Sequence, residues 1–327
     1  MIFYTGIIAF LFLLRFSLKY DERARRKLYY IIFIFLFLFV TFRYQVGCDW
    51  ETYYKIYLKF INIDWPEIIG GPGRGAISMG WLNLALDLDL HYVFMLLPFS
   101  IIFFIGVHSL ARRQPDPLGF LILLFPILII NMPMSGVRQG AAIGLICLAF
   151  CAFIDRRPII FTIWVLLATG IHNSAFIFLS FLPFATGRIN NTRVFITVLF
   201  AVPCLILLLF SDTAQFAIKT YMGSGREAYG AIYRVSILAL TALYFFLFIK
   251  KKWIKTFPND FSIISLGSYL MIAIMLLVPL SSIVGDRFGY YLIPLQAMIF
   301  ARLPYLPFKK HQSLHSAFPY IGLLLVF

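Results

Sequence analysis

Apolar runs recur about every 20 to 30 residues along the chain with almost no polar sequence between them, a spacing that matches a bilayer core of about 30 Å. This constrains the fold more than any single motif does. A globular domain has no use for such runs. Hydrophobic residues make up 61% of the 327 and charged residues 13%, against roughly half and a quarter in soluble proteins. The expected fold is therefore all-α: a polytopic integral membrane helical bundle, with residues 1–327 forming one transmembrane domain. Spans fall near 2–18, 28–42, 92–111, 118–133, 136–154, 158–171, 172–186, 194–211, 232–249, 261–280, 288–303 and 316–327. The total is about 11–13 transmembrane helices, depending on how short runs are counted. Segment 76–90 carries Asp87 and Asp89 and reads as an interfacial or half-inserted helix. Runs 158–171 and 172–186 are shorter than the ~20 residues a bilayer needs, which predicts short or broken helices near the outer face. The first run has neither a basic leader nor a small-residue cleavage site, so it reads as a span and not as a signal peptide.

Basic turns set the orientation. If residues 21–27 are cytoplasmic, that face collects 19 of the 28 Lys/Arg but only five of the 14 acids. The whole net charge of +14 is then orientation signal and implies no nucleic-acid partner. Both termini are expected outside. Cys147 and Cys151 lie one turn apart in an apolar run and Cys204 in another, a pattern that suggests neither a disulfide framework nor a metal site.

The remaining polar residues converge on the outer boundary. Arg43, Asp49 and Glu51 follow the second run. Arg138 and Gln139 open the fifth, His172-Asn-Ser174 forms the turn between the two short ones, and Asp286-Arg287 opens the eleventh. Helix N-termini that carry arginine suit an anion, above all phosphate, whose oxygens accept the guanidinium fork. At that depth the obvious anion is the diphosphate of a lipid carrier. The outer loops 43–75 and 211–232 contribute to the site, the second with Lys219, Arg226, Glu227 and Tyr229. Trp50, Tyr53 and Tyr54 offer faces on which a sugar stacks. Each residue also has a plainer reading. Arg43 at a helix end can snorkel, Arg138 lies on a Gly136/Gly140/Gly144 packing stripe, and Asp286 can be a helix cap.

The stretch Arg43-Tyr-Gln-Val-Gly-Cys-Asp49-Trp-Glu-Thr-Tyr53, the Arg138-Gln139 pair and His172-Asn-Ser-Ala175, taken in this order, resemble the EpsG-like, Wzy-type family of polysaccharide polymerases. Cys48 stands where that family usually has Thr. The resemblance implies polymerisation of undecaprenyl-diphosphate-linked repeat units into O-antigen or exopolysaccharide, at the outer face of the bacterial cytoplasmic membrane. The partners implied are carrier-linked glycan donor and acceptor, membrane lipid and, as a candidate, a chain-length regulator. Arg138 and Arg287 are expected on the diphosphate, assisted by Gln139 and by Arg43 as a third contact or as an organiser of Asp49. Arg226 and Asp286 join the aromatic residues at the acceptor, and no cofactor or metal is expected. The base is His172, Asp49 or Glu51, with His172 ranked first for its unperturbed pKa of about 6.5. A flippase for the same unit, a membrane O-acyltransferase and an O-antigen ligase are the alternatives.

Overall fold

In a computed structural model of the chain, residues 2–17, 21–47, 50–60, 75–186, 230–308 and 312–326 are described, with isolated positions at 190, 192, 193, 195, 197 and 228. Every regular element among them is a helix. In chain order these are α1 (Ile2–Ser17), α2 (Glu22–Thr41), α3 (Trp50–Phe60), α4 (Ala76–Asp87), α5 (Tyr92–Ala111), α6 (Pro117–Leu124), α7 (Val137–Ile154) and α8 (Pro158–Ile171). A 3-10 helix, Asn173–Phe184, follows; then come α9 (Ala231–Tyr244), α10 (Phe261–Met275), α11 (Ser282–Arg302) and α12 (Gln312–Val326). Both α6 and α9 run on into π turns, Phe125–Ile129 and Phe245–Ile249. The first contains Pro126, which has no N–H to give the α ladder and forces its register to slip. Among the described residues three helices are long and apolar enough to cross a bilayer: Tyr92–Ala111, Val137–Ile154 and Ala231–Thr256.

Helix boundaries follow local chemistry. Asp21 caps α2 by accepting the Ala24 N–H at 2.8 Å, and Asp116 caps α6 by accepting that of Gly119 at 3.0 Å, with Pro117 at the first helical position. At the other end of α7, Arg157 N–H donates to Ala152 O (2.9 Å) and Arg156 N–H to Phe153 O (3.0 Å), the paired bonds of a Schellman motif. Its left-handed position is held by Arg156, at φ +58°.

The core is centred on α7, which is 83% buried against 33% for the apolar stretch of Ala231–Thr256. It packs on α5 and α8, and α11 joins it to α9 and α10. A Cβ on Gly106 of α5 would fall 1.9 Å from the Gly144 carbonyl of α7, and one on Gly144 would fall 2.5 Å from Phe103 Cα. Close backbone approach thus accounts for Gly144 of the small-residue stripe.

Four expectations are corrected. Within 43–75 there is a helix, α3, because the aromatics of Trp50–Phe60 bury one face while Glu51 and Lys55 pair on the exposed one. The tenth run ends earlier than expected and the eleventh begins earlier. Helix α11 starts at Ser282, six residues early, because Ser281 takes the Val284 N–H at 3.4 Å, and α10 stops at Met275. The ninth run continues through the lysine cluster to Thr256, with Trp253 fully buried. Span 194–211 falls almost wholly outside the described residues, as does most of loop 211–232.

The basic end of the bundle is laced by ion pairs. Asp116 receives Arg15 and Arg25, Asp155 receives Arg113, and Asp260 receives Arg302, which also donates to Gln114 Oε1 at 2.8 Å.

Candidate active site

At the opposite end, contacts across distant segments draw the polar motifs together. Gly47, at φ +103°, lies so close to the turn before α7 that a Cβ there would sit 2.0 Å from Met134 O. Only glycine combines that angle with that approach. Arg138 Nε donates to Tyr53 Oη at 3.3 Å, which fastens α3 to the start of α7. Ser78 Oγ donates to Ile171 O at 2.9 Å, fastening α4 to the end of α8. Gln139 Nε2 donates to Arg287 O at 2.6 Å, and Ser174 Oγ donates to Tyr291 Oη at 3.0 Å. These last two bonds bring α7 and the His172 turn onto the N-terminal half of α11.

His172 lies in the turn between α8 and the 3-10 helix, outside both. Its Nδ1 is 2.7 Å from Ser174 Oγ. With the Ser174 proton assigned to Tyr291, Nδ1 carries the imidazole proton and Nε2 is the basic nitrogen. Burial first, then the charges of Arg287 and Arg138, pull the His172 pKa down to about 3. The ring is therefore neutral, and both arginines lie within electrostatic range of it. Arg287 acts on Tyr291 as well, as its spacing of four residues on α11 requires.

Arg138 has no carboxylate partner among the described residues. Its neighbours, Tyr53 Oη and Met79 Sδ (3.9 Å), are both neutral. A half-buried guanidinium without a counter-ion is costly to keep dry and attracts an anion.

The other candidate residues make the following contacts. Gln139 is a strut between helices, since its amide is spent on the Arg287 carbonyl. The Asp286 carboxylate is held by Arg234 through two bonds of 2.8 Å. Arg43 closes the end of α2, donating from Nη1 to Val40 O at 2.5 Å and from Nε to Val46 O at 3.2 Å, while its buried Nη2 has no hydrogen-bond partner among the described residues. The faces of Trp50 and Tyr54 are stacked on each other at 4.9 Å, and Tyr92 meets both edge-on, so these rings build a wall before they offer a platform. Glu51 is exposed and paired with Lys55 at 2.6 Å, and the hydrogen bond from that ammonium holds its carboxyl below the usual range. Asp49 and Arg226 lie outside the described residues. Among the described residues no cluster has the make-up of a metal site.

Two measurements check these roles. Glu51→Gln is expected to leave chain length on a polysaccharide gel unchanged, since the carboxylate faces water. Tyr291→Phe removes one hydrogen bond from the hydroxyl chain, worth about 1 kcal/mol, and is expected to slow polymer formation about fivefold at an unchanged protein level. The Tyr291 role was readable from its spacing to Arg287. The Arg234–Asp286 pair, 52 residues apart, left no signal in the sequence.

Long apolar helices with shorter apolar ones among the described residues define a helical membrane protein, and at one end His172 lies in electrostatic range of Arg138 and Arg287. A sequence profile of the EpsG family matches residues 26–327, and the chain belongs to that family. Membership points to polysaccharide polymerisation, a glycosyltransferase-like role. No curated protein and no solved structure shows a significant match.

Proposed function

We propose that the protein transfers a growing glycan from its undecaprenyl-diphosphate carrier to the terminal sugar of a second carrier-linked repeat unit, at the outer face of the bacterial cytoplasmic membrane. The observation that supports this most is Arg138, a half-buried cation with only neutral contacts among the described residues, in electrostatic range of a neutral His172. In this reading Arg138 and Arg287 take the diphosphate oxygens as the bond from the anomeric carbon to the diphosphate breaks. The charge that grows on the leaving oxygen is met by guanidinium groups already in place.

The acceptor hydroxyl oxygen forms the new bond and its proton passes to a base, His172 Nε2 on this reading. A pKa of about 3 makes the free imidazole a weak base. An anion bound between the arginines cancels the part of that depression that they cause, so the base strengthens when the substrate arrives. Desolvation is the larger cause and persists, and Asp49 is kept as the second candidate.

The test uses the purified full chain with a synthetic polyprenyl-diphosphate repeat unit in the presence of EDTA. Products of two or more repeats are expected. Recovery of single units unchanged, with EDTA or with divalent cations, overturns the assignment. Elongation only with added metal overturns the role given to the arginines. For a flippase, deletion strains would hold single units on the cytoplasmic side.

A further inference from the structure

The ends of α5 and α7 and the start of α8 meet at the basic end, opposite His172. They enclose an open groove of about 500 Å³ whose wall includes Arg112, Arg113, Asp155, Arg157, Ile160 and Trp164. Three arginines stand there against one aspartate. Arg113 engages both Asp155 oxygens, at 2.6 and 2.7 Å, and Asp155 also lies in electrostatic range of Arg157. Among the described residues the Arg112 and Arg157 side chains enter no ion pair. The positive end of α8 faces the groove and offsets the C-termini of α5 and α7.

The groove opens onto an apolar track. Ile159, Ile163, Leu166 and Leu167 are exposed along α8, at the spacing of one helical face, and that face starts beside Ile160 at the rim. Trp164 sits where cationic and apolar walls meet, the usual place of an interfacial tryptophan. We propose that this groove binds an anionic phospholipid, its phosphate between Arg112 and Arg157 and an acyl chain along the exposed face of α8. Guanidinium forks match phosphate oxygens, and basic pockets at helix ends are suited to anionic headgroups. A free phosphate would have no use for the track. The proposal is independent of the reading of the His172 site.

The experiment places the full chain in nanodiscs of phosphatidylcholine containing a small fraction of brominated phosphatidylglycerol. Emission is read as the difference between wild type and Trp164→Phe, which isolates Trp164. Quenching is expected to be stronger than with brominated phosphatidylcholine at the same fraction. It should need about thirtyfold more of the anionic lipid in Arg112→Gln/Arg157→Gln and return in Arg112→Lys/Arg157→Lys, which keeps both charges. Equal quenching by the two lipids, or an unchanged Gln variant, overturns the site. Loss of quenching on addition of millimolar inorganic phosphate reassigns the groove to a free anion and overturns the lipid occupant.

Discussion

Arg138→Ala is expected to reduce the polysaccharide of a complemented deletion strain to single repeat units while the protein still accumulates. The side chain's contacts are weak ones, 3.3 Å to Tyr53 Oη and 3.9 Å to Met79 Sδ, so little of the bundle depends on it. If it meets the leaving diphosphate, however, its loss removes a donor at the place where charge develops, an effect of about 10² to 10³ in rate. Arg138→Lys should recover only part of this, because an ammonium cannot grip two oxygens at once. Immunoblotting alongside the gel separates chemistry from folding. Normal long-chain polymer in the alanine strain sinks the assignment of Arg138.

The second large effect is expected from Gly47→Ala. A methyl group there meets Met134 O at 2.0 Å, and the backbone at φ +103° disfavours any side chain. The strain alone is about 1 to 2 kcal/mol, and the overlap has to be relieved by moving one main chain off the other. What moves is the seam between the exit of α2 and the start of α7, which sets where Arg138 points. The variant is therefore expected to lose polymer nearly as completely as Arg138→Ala, with a lowered thermal midpoint. Its Ser135→Ala neighbour variant is a control, since it leaves the glycine in place. Full activity in Gly47→Ala would show that this seam does not position the site.

Much of the fold was legible because bilayer-length apolar runs leave few alternatives. Helices α1, α5, α7 and α8 fall within a few residues of their expected bounds, α2 starts six residues early through its Asp21 cap, and the break at His172 is where two runs too short to span suggested one. Helix α3 escaped because its apolar residues are mostly aromatic and interleaved with Glu51, Lys55 and Lys59, which reads as a boundary loop with anchors. In the site, the common end of Arg138, His172 and Arg287 was legible from charge placement alone. Their partners were not. Which carbonyl Gln139 reaches, and that Arg234 occupies Asp286, depend on how helices rotate about their own axes, and that is decided by packing of the whole bundle and not by local pattern.

Asp116 holds three duties at once: it caps α6 and receives Arg15 and Arg25, residues 101 and 91 positions earlier. Read along the ribosome's direction of travel, this is a matter of order. Both cations are synthesised long before their carboxylate, an interval of about 5 to 20 s at ordinary elongation rates. A nascent chain stopped short of position 116 thus carries Arg15 and Arg25 unanswered, and the arrival of one aspartate ties the two helices that hold them to α6.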